Sequence, residues 1–425
     1  MKKINLNGLD MDYYLETLNN GLEIYMLPYT NKKNYFISFA TRFGSEVVEF
    51  TDEKEKTHKL PLGIAHFLEH KMFEQESGED PFTFFSKSGT GCNASTSFDN
   101  TQYICYGTKK FEENLEYLIN FVNDPYYTDS NVKKEKGIIA EEIKMYEDMP
   151  DIKLEMELRK NIYQNHPRKI DIAGTIEEIN KITKEDLYTC YSNFYIPNNM
   201  FILIVGNFNK DRAVEIIKKK LEYKKKQSLP QTKNVEEPDK ITKSKSKITS
   251  NIEVPKLAYG LKIPTKNLKL DKLELDLYLN IVTTILFGAS SEFRERTRNE
   301  KILSGIQMEW EVLEGFRVFY LIATTKEPDR LEEEIKDEIN NLSITEDAFN
   351  RIKKVWIANE IRMIDNIDAT VSNLYDDILK YESIVSDRID KIRSMKLKTL
   401  EELIKKIDFK NTSVVQMLPK TNWKY

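Results

Sequence analysis

Two copies of one α+β domain are what this sequence predicts, each a mixed, mainly antiparallel sheet packed against helices. Three observations point there. Strand-sized apolar runs alternate with amphipathic helical patterns. A polar, lysine-rich stretch interrupts the pattern once. Beyond it the same order of elements resumes, with a matching segment at a fixed offset.

In chain order, LEIYMLP (22–28), YFISFATR (35–42), TQYICYGT (101–108) and MFILIVG (200–206) read as strands. Residues 224–247, rich in lysine and containing Pro230 and Pro238, read as a linker between domains at 1–223 and 248–425. The second half then offers KLAYGLKIP (256–264), a long helix at 272–287, VFYLIATT (318–325) and a last strand in TSVVQMLP. IAEEIKM (139–145) aligns with IANEIRM (357–363), an offset of 218 residues, inside the same strand, helix, helix order. That agreement predicts a duplication. The same offset places His66, Glu69 and His70 opposite Thr284, Phe287 and Gly288, so the second copy keeps the helix without its chemistry.

Composition excludes several classes. The 64 Lys and Arg are outweighed by 69 Asp and Glu, for a net charge of -5, and lysine is interleaved with acid, which argues against a nucleic-acid surface. MKKINLNGLD has no apolar run behind its lysines, so no export signal is expected. The longest aliphatic stretch, 201–205, is far shorter than the ~20 residues of a membrane span. Cys92, Cys105 and Cys190 are widely spaced and odd in number, which suits a reducing compartment; a cytoplasmic location is expected.

With only four histidines in the chain, GIAHFLEHKMFEQ (63–75) places two of them, His66 and His70, four residues apart around Glu69. Chains of this composition would show His-x-x-acid-His by chance roughly six times in a thousand. On a helix at about 100° per residue the three project from one side. Two neutral imidazoles at that spacing can chelate a divalent ion, and the carboxylate between them can reach a water beside it. A catalytic zinc usually takes a third protein ligand. Glu135 and Glu142 on the helix KKEKGIIAEEIKMYED are both candidates, being seven residues apart on nearly the same face, whereas Glu141 points away and suits a surface ion pair. His58 and His166 lie in a charged segment and before a proline, and are expected to be exposed or structural.

HFLEH (66–70) with EKGIIAEE (135–142) resembles the inverted-zincin metallopeptidases of the pitrilysin and insulinase type, processing peptidases among them. GTGCNASTSFDNTQYICYG (89–107) and the segment ending in MFILIVGNF are similar to that family as well. The resemblance implies one zinc ion held by His66, His70 and Glu142, with Glu69 as general base and Glu135 orienting a ligand histidine. It implies a peptide bound as an added strand along Asn93, Ala94, Ser95 and Thr96, and two domains forming a half-shell.

The second half departs from the family. Self-sufficient members resemble one another in an Arg and a Tyr seven residues apart, but in SSEFRERTRNEKILSGI no tyrosine falls in register, and Thr297 and Ser304 align with the two places. The expected function is therefore a zinc endopeptidase subunit cleaving peptides or small unfolded polypeptides in an enclosed chamber. Its partner would be a related, metal-free subunit, or failing that a second copy. The rival reading, an inactive structural or substrate-binding subunit, leaves a base and three ligands without a task.

Overall fold

The computed structural model describes residues 1–420. The chain divides into two compact units, each built on its own sheet.

The first unit carries a seven-stranded sheet. Its strands are β1 (Lys2–Leu6), β2 (Met11–Thr17), β3 (Glu23–Pro28), β4 (Tyr35–Thr41), β7 (Gly91–Thr96), β8 (Thr101–Gly107) and β9 (Met200–Gly206). They run in the order β1-β2-β3-β9-β4-β8-β7, antiparallel except for the β3/β9 pair. Two short strands, β5 (Glu49–Thr51) and β6 (Thr57–Lys59), form a small separate sheet with β10 (Gln231–Thr232). The second unit has β11 (Lys245–Ser250), β12 (Lys256–Pro264), β13 (Leu303–Leu313), β14 (Phe316–Thr325) and β15 (Thr412–Pro419), in the order β11-β15-β12-β14-β13. Among the described residues only β11 and β15 are parallel there. Strand for strand this repeats β3-β9-β4-β8-β7, so the duplication read from one seven-residue match extends to a whole sheet topology.

The strand cores follow the apolar runs. All seven residues of β9 are buried, as expected for a central strand covered on both faces. Its two faces feed different clusters: Ile202 and Ile204 pack with Phe67, Leu68 and Met72 of the Ile64–Met72 helix, while Phe201, Leu203 and Val205 pack with Val371, Leu374 and Ile378 of the Ile367–Tyr381 helix.

That second contact departs from the expected contiguous domains 1–223 and 248–425. The first unit comprises 1–144, 171–234 and 362–386; the second comprises 145–170, 235–361 and 387–425. The Pro150–Ile162 helix buries Leu154, Leu158 and Ile162 against β12, β14 and β15 of the second unit. Each sheet therefore gains one cover from the other half of the sequence, and the helices exchanged, 150–162 and 367–381, are partners in the duplication. The stretch expected as a linker is also fastened. Gln231 and Thr232 pair with β5, and buried Glu237 pairs with fully buried Lys262 at 2.6 Å. One segment, Lys272–Asn299, is long and apolar enough to cross a membrane by length and composition alone, yet 67% of its apolar window is buried inside the protein.

A satisfied polar cluster sits inside the second unit. Glu311 on β13 accepts from Arg159 at 2.9 Å, Arg168 at 3.0 Å, Tyr320 at 2.9 Å and Tyr163. Burial works to raise the Glu311 pKa, but the two guanidinium charges and the Tyr163 hydrogen bond outweigh it and hold the carboxyl down at about 2. A folded pKa below the ordinary value of about 4.3 means the stabilisation is complete above pH ~4.3 and is lost as pH falls through about 2. Glu311→Gln is expected to cost about 3–5 kcal/mol of unfolding stability at neutral pH. In denaturant titrations its gap from the wild type should shrink steadily below pH ~4.3.

Candidate metal centre

The helix Ile64–Met72 starts at Gly63, whose φ of 86° lies in the left-handed region. A Cβ there would meet the Ala173 carbonyl oxygen at 2.3 Å, so only glycine lets the chain enter the helix at this point. Ile64, Ala65, Phe67, Leu68 and Met72 anchor the helix in the core at no more than 2% exposure. His66 and Glu69 are buried too, and His70 is half-buried.

The second element is the helix Asp129–Asp148, opened by reciprocal bonds between Thr128 and Asn131. Val132, Glu135, Ile139 and Ile143 form its buried stripe at helical spacing. Glu135 thus lies within the apolar face, Glu142 at its edge, and exposed Glu141 pairs with Lys144 at 2.7 Å as expected.

Together the helices bring His66, His70 and Glu142 into one group, with a donor atom of each within 4.8 Å of the others. Glu142 Oε1 lies 3.8 Å from His66 Nε2 and Oε2 lies 3.4 Å from His70 Nε2. These separations are long for hydrogen bonds. They are close to the ~3.3 Å between neighbouring donors that zinc bonds of 2.0–2.1 Å impose in a tetrahedron. His66 Nδ1 is buried without a hydrogen-bond partner, so hydrogen bonding does not account for the ring's placement. Two imidazoles and a carboxylate are a donor set that suits zinc.

The other face of His70 is held differently: Nδ1 lies 3.1 Å from Glu135 Oε1. A proton on Nδ1 leaves the Nε2 lone pair facing Glu142, the arrangement found when a carboxylate orients a ligand histidine. Burial lowers the His66 pKa to about 4, with the His70 charge adding to the effect, which favours the neutral ring a metal needs. For His70 burial again pulls downward, but the Glu135 bond and the Glu69 and Glu142 charges raise its pKa overall.

Glu69 is 9% exposed, and burial raises its pKa. Its Oε2 accepts a 2.6 Å hydrogen bond from Thr96 Oγ1 on β7. The Thr96 hydroxyl thus steadies the carboxylate between the histidines, a contact that its place in the expected strand 93–96 did not foretell. Alternation puts Thr96 on the inner face of β7 with Cys92 and Ala94, while Asn93 and Ser95 are exposed. Among the described residues β7 pairs only with β8 and is the open edge of the sheet.

Other sequence candidates lie elsewhere. His58 bonds Asp52 at 2.9 Å and stacks on Phe50, and His166 caps a short 3₁₀ turn. In the second unit Thr297 is fully buried and donates to the Phe293 carbonyl, so it has no free hydroxyl to offer. Arg294, Arg298 and Ser304 line a cavity of about 470 Å³.

Residues 55–176 match the family described as Insulinase (Peptidase family M16), and residues 181–355 match the Peptidase M16 inactive domain. The chain is 34% identical over 432 residues to the uncharacterized zinc protease YmfH of Bacillus subtilis, covering 99% of this chain and 100% of that one. The chain belongs to the M16 peptidase family. Among solved structures it is similar to a putative M16-like peptidase from Alicyclobacillus acidocaldarius, with a TM-score of 0.91 and 31% identity over 98% of this chain and all of that one. A Helicobacter pylori protease shares the fold at a TM-score of 0.82 and 22% identity, over 96% of this chain and all of that one. All five centre residues of this M16 chain fall inside the first match, and the match described as inactive covers none of them.

The Thr96 contact is directly testable. Thr96→Val keeps the shape and removes the donor, and should lower unfolding stability by about 1.5–3 kcal/mol, the usual worth of a hydrogen bond to a charged group. Thr96→Ser should restore most of that loss in the same denaturant titration.

Proposed function

We propose that the chain is a zinc-dependent endopeptidase subunit that hydrolyses peptides or small unfolded polypeptides, with one zinc ion held by His66, His70 and Glu142. The observation that carries this reading is the convergence of those three donors beside buried, hydrogen-bonded Glu69. When bound, zinc would polarise the scissile carbonyl and make the attacking water more acidic.

Glu69 takes the proton from that water as its oxygen bonds to the carbonyl carbon, and returns it to the amine nitrogen as the C–N bond breaks. No acyl-enzyme forms, because no side chain serves as nucleophile. Glu135 holds His70 in the tautomer that ligates. Thr96 keeps the Glu69 carboxylate turned toward the reacting water.

The open edge of β7, with its small residues Asn93, Ala94 and Ser95, suits an extended peptide added as one more antiparallel strand. Backbone pairing makes binding tolerant of side-chain identity. The missing Arg/Tyr grip in 290–306 supports a related, metal-free partner subunit, or a second copy, as the other wall of an enclosing chamber. Three free cysteines suit a cytoplasmic setting.

Glu69→Gln should retain about one zinc per chain and lose peptide cleavage by about 10²–10⁴-fold. His70→Ala should lose the zinc itself. The checks are metal analysis and a mixed-peptide assay, run with the chain alone and with its candidate partners; undiminished cleavage by Glu69→Gln would contradict the mechanism.

A further inference from the structure

Lysine is rarely buried in full, yet Lys71, in the last turn of the helix directly after His70, is 0% exposed. The His-x-x-Glu-His pattern ends at His70 and gives Lys71 no task. Burying an ammonium group costs several kcal/mol unless carboxylates surround it. Lys71 Nζ has two: Glu74, just past the end of the helix, to which it donates a hydrogen bond, and Glu135 on the Asp129–Asp148 helix, whose Oε2 faces it at ion-pair distance, 3.8 Å away. Glu74 is 40% exposed on its side chain, whereas the Glu135 side chain is at 11%.

Glu135 is therefore gripped from both ends. Its Oε1 faces His70 Nδ1 at 3.1 Å and its Oε2 faces the Lys71 ammonium. The result is a buried relay, Lys71 to Glu135 to His70, ending at the Nε2 that faces Glu142. Without Lys71, two features would change. The Glu135 carboxylate would lose a charge that fixes its rotation, and it would remain buried with only His70 and the Lys134 charge to offset its desolvation.

We propose that Lys71 is a positioning residue of the metal centre: its buried ammonium holds Glu135 in the orientation that receives the His70 Nδ1 proton, and so sets how tightly the site binds zinc. This role rests on the metal-centre reading above. Groups that orient a ligand histidine typically change metal affinity by about 10–100-fold when removed.

The test uses the full chain and inorganic zinc, with affinity measured by competition against a chromophoric chelator and unfolding measured separately on metal-depleted protein. Lys71→Met, similar in length and uncharged, should weaken zinc binding by at least about tenfold. Glu74→Gln removes only the exposed partner and should stay within about threefold of the wild type. A purely structural lysine would lower the unfolding midpoint in Lys71→Met and leave the affinity of the folded protein unchanged, which would overturn the proposal. Should Lys71→Met not fold, Lys71→Gln, which keeps a hydrogen-bond donor without the charge, is measured in the same way. A loss of at least about tenfold in zinc affinity supports the role, and an affinity within about threefold of the wild type overturns it. Wild-type protein that binds no zinc would instead overturn the metal-centre reading itself.

Discussion

Everything functional in this chain depends on the packing of one short helix against one long one. The Ile64–Met72 helix supplies both imidazoles and the candidate base. It cannot close a site, because three donors must converge and residues four apart on a helix supply only two. The Asp129–Asp148 helix supplies Glu142 and, one buried stripe away, Glu135. What holds them in register is apolar: Phe67, Leu68 and Met72 share a cluster with Val132, Ile139 and Ile143. Polar side chains that face one another at 3.1–3.8 Å are thus placed by hydrophobic contacts around them.

The sheet beneath imposes the second constraint. β7 must lie at the edge to stay open, and must also turn Thr96 inward to reach Glu69. Period-two alternation satisfies both, since Asn93 and Ser95 face out when Thr96 faces in. In the second unit β13 occupies the equivalent edge, but its buried carboxylate, Glu311, is locked by two arginines and two tyrosines. One topology thus hosts a buried acid left within reach of reactive neighbours and another that is neutralised. The difference lies in a handful of side chains.

Much of this was legible in the sequence, for physical reasons that differ by residue. β9, β12, β15 and the 272–287 helix fall where their apolar patterns place them, because burial on both faces leaves a continuous run. His66, Glu69 and His70 were legible because i, i+4 spacing is local. Glu142 was one of two candidates until the family resemblance separated it from Glu135. Lys71 was invisible: a charge inside an apolar helix reads as a solvated residue until its partners from another helix are seen. The Thr96 bond to Glu69 was not legible, because the two residues lie 27 apart in the chain and meet only once β7 is laid beside the helix. The exchanged helices were also hidden, because an amphipathic pattern says that a face is buried and not against which sheet. The same holds for 224–247, where composition suggested a tether and the Glu237–Lys262 pair fastens it.

Whether this convergence holds zinc is read directly by anomalous scattering from zinc-soaked crystals on either side of the zinc absorption edge. One strong difference peak per chain is expected, bounded by His66, His70 and Glu142, with Glu135 behind His70. A peak elsewhere, or none at that position in crystals that contain zinc, would contradict the proposed zinc site.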